Sequence, residues 1–148
     1  MQLSDIIAII SLIISIVSLF KSHKANKVAE GEIEISIYQM INQTKKDVLD
    51  ITLTIARSSE NNDILNHALK TARESNFNAY EEACAKYLDN KVDKERFKRN
   101  YHLEIRQLVT DENNKDYFDA TTSAYRCILK VYNKWNNLEV WYFISFTL

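Results

Sequence analysis

From Ile6 to Phe20 the chain reads IIAIISLIISIVSLF, with no charge and no helix breaker. Nothing else limits the fold as severely, because so much apolar side chain has to be removed from water by something. Leu3 to Phe20 is eighteen residues. At ~1.5 Å of rise per residue such a helix is roughly 27 Å long, close to the ~30 Å hydrocarbon thickness of a bilayer. A secretory signal would need a basic segment before the run and a small-residue cleavage pattern after it. Here Gln2, Leu3, Ser4 and Asp5 precede it, and KSHKANKVAEGE follows. The competing reading is a core helix of a water-soluble protein, since the run is near the lower length limit for spanning.

Small residues recur inside the run. Ser4, Ala8, Ser11, Ser15, Ser18 and Ser22, continued by Ala25 and Ala29, alternate at steps of four and three. They form one stripe on a helix otherwise built of Ile, Leu and Val, which is the pattern of a membrane helix that approaches another closely. The flanks set an orientation. Lys21, Lys24 and Lys27 follow the run, and Asp5 is the only charged side chain before it. Short Lys-rich flanks stay cytoplasmic, so the amino terminus is expected outside and the remainder in the cytoplasm. The three lysines lie along one side of a helix and reach anionic headgroups, each contributing on the order of 1 kcal/mol.

The rest of the chain reads as all-α. One glycine and no proline among 148 residues leave too few turn residues for a sheet protein. They also exclude glycine-dependent phosphate and dinucleotide loops. A net charge of −1 gives no general attraction to nucleic acid. Ile33, Ile37, Ile41, Thr44, Val48, Ile51 and Ile55 keep a helical period to about Arg57. Gly31 either closes the membrane helix or is carried inside one continuous, slightly bent rod; the length of the pattern favours the rod.

Further helices follow short polar breaks. The SSENN run, Ser58 to Asn62, is a turn signal, and Asp63 can cap a second helix ending near Asn90. Its apolar face is Leu65, Ala68, Leu69, Ala72, Asn76, Ala79, Tyr80, Ala83, Cys84 and Tyr87. Asp93 can cap a third, carrying Phe97, Tyr101, Ile105, Leu108 and Val109, which DENNKD at Asp111 to Asp116 breaks. A fourth carries Phe118, Thr121, Tyr125, Ile128, Val131, Tyr132 and Trp135. Short connections make antiparallel neighbours, so a bundle of about four helices is expected. The organisation is then residues 1–29 as transmembrane helix and basic juxtamembrane segment, 30–137 as cytoplasmic bundle, and 138–148 as an apolar tail. That tail, LEVWYFISFTL, carries one charge, Glu139, and is too short to span as a helix. It packs into the bundle, lies in the membrane interface through Trp141, Tyr142 and Phe143, or binds a partner.

Catalytic signals are missing. Cys84 and Cys127 match no zinc spacing and fall on apolar helix faces, which suits buried free thiols. His23, His67 and His102 form no metal-ligand pair, and no Glu-x-x-His motif is present. Glycine is lacking for a nucleophile elbow. Glu81–Glu82 and Asp111–Glu112 are sequence neighbours, which do not converge on one site. No catalytic residue, cofactor or metal is therefore expected. A basic cluster, Lys91, Lys94, Arg96, Lys98 and Arg99 with Arg106 further on, reads first as a solvated helix face. Lys94, Lys98, Arg99 and Arg106 are its candidates for an anionic membrane surface; nucleic acid ranks last, because Phe97 and Tyr101 belong to the apolar stripe. The expected function is a single-pass, membrane-anchored interaction or regulatory module. It contacts lipid, self-associates as a homo-oligomer and binds an unidentified protein partner. The alternative is a channel-like or membrane-permeabilising oligomer with the serine stripe turned inward.

Overall fold

A computed structural model describes residues 3–58 and 63–145, with side chains described for 10–58 and 63–136. The chain is all-helical: α1 (Leu3–Arg57), α2 (Asp63–Leu88), α3 (Lys94–Thr110), a 3-10 turn (Glu112–Tyr117) and α4 (Arg126–Ser145). Among the described residues no helix is long and apolar enough to cross a membrane. Of the run read as a span, Leu3 to Ile9 lie outside the residues with described side chains. The same holds for Ser4 and Ala8 of the stripe and for Trp141, Tyr142 and Phe143.

α1 is unbroken through Gly31, which has no positive φ. Its 55 residues make a rod of about 80 Å. Ile37 and Ile41 are buried against the bundle, with Ile33 and Met40 packed beside them. Chain direction alternates. α1 packs on α2, α2 on α4, and α4 on α3. Asp93 caps α3 as its sequence position implied, its carboxylate accepting from the Arg96 N–H at 2.9 Å.

The fourth helix begins later than its apolar period suggests. Phe118 and Tyr125 are buried but precede α4, and Thr121 is exposed. The cause is local. Asp119 Oδ1 accepts from the Thr121 and Thr122 N–H groups at 2.8 and 3.0 Å, and from both hydroxyls, which holds residues 119–122 in a turn that competes with helix. α4 is then started from outside. The Cys127 and Ile128 N–H groups donate to the two carboxylate oxygens of Glu81 on α2, at 2.8 and 3.0 Å. These are first-turn donors with no partner in their own helix, and a carboxylate there also meets the positive end of the helix dipole.

Two aromatic clusters fill the core. Phe77 meets Tyr117, Phe118 and Tyr125 at 5.1 to 5.5 Å between centroids. Tyr87, Phe97 and Trp135 form the second. Both cysteines are free thiols, Cys84 buried and Cys127 half-buried.

Gly31→Ala is expected to stabilise the fold by roughly 0.5–1 kcal/mol, because a mid-helix glycine is conformationally costly, and a Cβ there meets nothing within 4 Å. An unchanged or lower midpoint in chemical denaturation would contradict that. The turn bonds hold the Asp119 carboxyl down at about 2. A depressed carboxyl stabilises the fold above its unfolded value of about 3.9 and stops doing so as pH falls through its folded value. The stability deficit of Asp119→Ala should therefore be full at neutral pH and shrink between about pH 4 and pH 2. Denaturation curves across that window check it.

Candidate functional site

Three adjoining features make up the candidate interaction surface: the projecting part of α1, the end of the bundle it leaves, and the cleft between α1 and α3. Residues 10–28 of α1 are exposed throughout, with Ile10 51 % and Phe20 73 % accessible. Ser11, Ser15, Ser18 and Ser22 lie on this stretch, as do Lys21, Lys24 and Lys27. The Ser15 hydroxyl donates to the Ser11 carbonyl at 2.9 Å, so its hydrogen-bonding need is met inside its own helix. Carried down α1 at the same alternating steps, the line of small residues meets Glu32, Ser36, Gln39 and Gln43, all exposed. Neither α2 nor α3 occupies that face.

At the bundle end, Tyr87 of α2 stacks on Phe97 of α3 with ring centroids 5.1 Å apart, and Trp135 of α4 stands edge-on to it at 5.5 Å. The Trp135 indole N–H donates to the Tyr87 hydroxyl at 3.1 Å. Lys94 and Lys134 place their ammonium groups 5.7 and 5.6 Å from the centre of the Tyr87 ring, within cation–π range. Lys94 is thus half-buried on an aromatic face. Lys98 is half-buried, and Arg99 and Arg106 are exposed. Arg96 crosses to α1 instead. Lys94 and Arg106 stand about 18 Å apart along α3 by helical rise, so these four residues do not converge on one point.

The cleft lies where α1 and α3 face each other without close backbone approach; among the described residues no Cα pair between them falls within 8 Å. Two ion pairs bridge it. Arg96 Nε reaches Glu34 Oε2 at 2.7 Å, and Lys45 Nζ reaches Glu104 Oε1 at 2.6 Å. Glu34 Oε1 also accepts from the Asp93 N–H at 3.0 Å, which ties the start of α3 to α1. Around the Glu34–Arg96 bridge, Gly31, Ile35, Tyr38, Phe97, Asn100 and Tyr101 line a cavity of about 340 Å³. Ile35 and Tyr38 are 59 % and 61 % exposed on its rim. The buried Tyr80 hydroxyl donates to Glu104 Oε2 at 2.5 Å. Burial first, and then that carboxylate, push the Tyr80 hydroxyl well above its usual value, so it stays a donor.

This arrangement can hold an apolar or aromatic group flanked by charges. Among the described residues no group of His, Cys, Asp and Glu is placed to hold a metal ion. Glu34, Glu104 and Tyr38 were not singled out by sequence reasoning, although Glu34 and Tyr38 sit beside the apolar line of α1, where flanking side chains reach a neighbouring helix. Comparison with protein-family models, characterised proteins and solved structures gave no match.

Removing the acceptor of a buried hydroxyl is costly. Glu104→Ala should lower unfolding free energy by about 1–3 kcal/mol. Lys45→Met should lower it by less than about 1 kcal/mol, because its ion pair is partly solvated. Equal losses in urea titrations would show that the ion pair, not the Tyr80 bond, is what matters.

Proposed function

We propose that the protein is a membrane-anchored helical interaction module. α1 holds it in the cell membrane, the bundle stands on the cytoplasmic side, and copies associate along the Ser/Ala stripe. The observation that carries this reading is the exposure of Ile10, Leu12, Ile13, Ile14, Ile16, Val17, Leu19 and Phe20 on a helix that has already left its bundle. Side chains of this kind gain about 1.5–3 kcal/mol each on full burial. Since they are about half exposed, the cost of leaving all of them in water is on the order of 10 kcal/mol. That is as large as the whole stability of a typical domain, about 5–15 kcal/mol. Lipid removes the cost without a partner, and the lysines that follow Phe20 suit the headgroup layer.

Two details support packing of the stripe over a pore. The Ser15 hydroxyl is satisfied by its own helix and needs no water column. The exposed Glu32, Ser36, Gln39 and Gln43 leave the line of the stripe open to a second α1 below the membrane. Such contacts are modest, with polar pairs contributing about 0.6 kcal/mol each.

Expressed at full length, the protein should pellet with membranes, resist high salt and come out in detergent. Recovery in the supernatant without detergent would overturn the anchor. Ser11→Leu combined with Ser15→Leu should weaken self-association in a membrane two-hybrid assay while membrane pelleting persists. If association is unaffected, the stripe is not the interface. Vesicles loaded with dye should stay sealed, and leakage on reconstitution would favour the permeabilising alternative.

A further inference from the structure

Tyr101 of α3 is only 9 % exposed, and neighbours fix its ring. Phe97 packs on it with centroids 4.8 Å apart, and Tyr80 stands edge-on at 6.5 Å. A phenol held in this way cannot turn its hydroxyl elsewhere. Among the described residues no hydrogen bond reaches that hydroxyl. Burial, then the Glu104 and Glu34 carboxylates, raise its pKa, so it keeps its proton and stays a donor. Nearly buried polar groups without a partner are uncommon in folded proteins, because leaving one unpaired is costly. This one belongs to the wall of the α1–α3 cleft.

The cleft extends to both sides of it. Tyr38, Asn100 and Tyr101 belong to the wall of the cavity described above, and a second hollow of about 320 Å³ runs from the same three residues toward Lys45 and Glu104. The apolar part of the wall comes from Ile35, Ile37 and Phe97. Tyr38 and Asn100, both exposed, add a ring and a carboxamide at the rim. A volume of this size is at the lower end of the range for small-molecule sites, and an apolar wall with a few placed polar groups is their usual make-up.

Charge decides what kind of molecule fits. Glu34 accepts from the Arg96 guanidinium and from the Asp93 N–H, and Glu104 accepts from Lys45 and Tyr80. No other charged residue lines either hollow. An ionic ligand would have to break one of these pairs, whereas a neutral one leaves both intact. The pairs also decide its size. Glu34 and Lys45 are about 16 Å apart along α1 by helical rise, with Tyr38 between them, so a partner helix laid along the cleft would displace both bridges. Lipid is no candidate either, since Tyr38 lies about 27 Å beyond Phe20 along α1.

We propose that this cleft binds a small uncharged aromatic molecule carrying a carbonyl or ring-nitrogen acceptor, with its ring against Tyr38, Ile35 and Phe97 and its acceptor on the Tyr101 hydroxyl. The site does not depend on the anchor reading. Its ligand touches α1 and α3 together, on the side of the bundle where only ion pairs join them, and so tightens the hold of the bundle on the rod.

Full-length protein and its Tyr101→Phe variant are titrated with three probes of one shape, followed by the NMR signal of the Asn100 side-chain amide. The probes are 2-naphthamide, which is neutral with an acceptor, 2-methylnaphthalene, which has none, and 2-naphthoate, which is charged. 2-Naphthamide should bind saturably, with a dissociation constant on the order of 0.1–1 mM. The other two should bind at least about fivefold more weakly, the loss expected for one hydrogen bond. Tyr101→Phe should weaken 2-naphthamide by about the same factor and leave 2-methylnaphthalene unchanged. No saturable binding overturns the site, and so does equal affinity of the two proteins for 2-naphthamide. Naphthoate or methylnaphthalene binding as tightly as the amide overturns the assigned class. Unfolding curves supply the control. Tyr101→Phe should be as stable as the wild type, and a lower midpoint would mean that the hydroxyl is already bonded within the protein, which overturns the proposal as well.

Discussion

An α-helix satisfies its backbone hydrogen bonds internally, so it can pass from one solvent to another without a structural break; only its side chains register the change. α1 runs without such a break from Leu3 to Arg57, and the other helices are arranged around its lower half. Between Leu3 and Arg57 the chain has no proline and a single glycine, and that glycine keeps helical geometry. The same rod carries exposed isoleucines on its upper part and buried Ile37 and Ile41 on its lower part. With no flexible linker between them, the orientation of the bundle follows from the orientation of the rod, apart from the gentle bending that long helices allow.

The attachment of the bundle to that rod is uneven. Toward α2 it is apolar, with side chains that contribute about 1.5–3 kcal/mol each when fully buried. Toward α3 it consists of two bridges, Glu34–Arg96 and Lys45–Glu104, made by side chains that are mostly half-exposed. Ion pairs of this kind contribute about 0–1 kcal/mol each. The α1–α2 contact therefore holds α1 in place, and the α1–α3 side is the one that can open at little cost. The Tyr80 hydroxyl limits that freedom, since moving Glu104 away would strand a buried donor.

What could be read in advance was what depends on local period and local capping. The all-helical class follows from the scarcity of glycine and proline, and the start of α3 follows from Asp93, which needs only its own next turn to act as a cap. Ile37, Ile41, Tyr80, Ala83 and Cys84 are buried where their spacing put them. The misses are long-range. Phe77 sits one residue outside the stripe assigned to α2, yet is buried because three rings from the segment before α4 close over it. Phe118 and Tyr125 extend an apolar period that the backbone does not follow, because Asp119 offers a competing set of hydrogen bonds. Glu81 is in sequence only the neighbour of another acid, Glu82, and nothing local shows that it faces the start of a helix 46 residues on. On α3 the basic residues were visible as composition, but whether a lysine lies on a ring, as Lys94 does, or crosses a cleft, as Arg96 does, is decided by the neighbouring helix.

Polarity is also sorted along the bundle axis. The end away from the projecting helices is finished by short polar segments that satisfy themselves. Asp111 accepts from the Asn113 N–H and side-chain amide, the buried Asn114 amide donates to the Leu108 carbonyl, and Asp119 gathers Thr121 and Thr122. Such loops suit water and offer little apolar area to a partner. The opposite end carries the stacked Tyr87, Phe97 and Trp135, the lysines over Tyr87, and both outgoing helices. Between these two ends, apolar side chain is also exposed on the side of the bundle. The cleft rimmed by Ile35 and Tyr38 opens there, on the face of α1 that neither α2 nor the line of small residues uses.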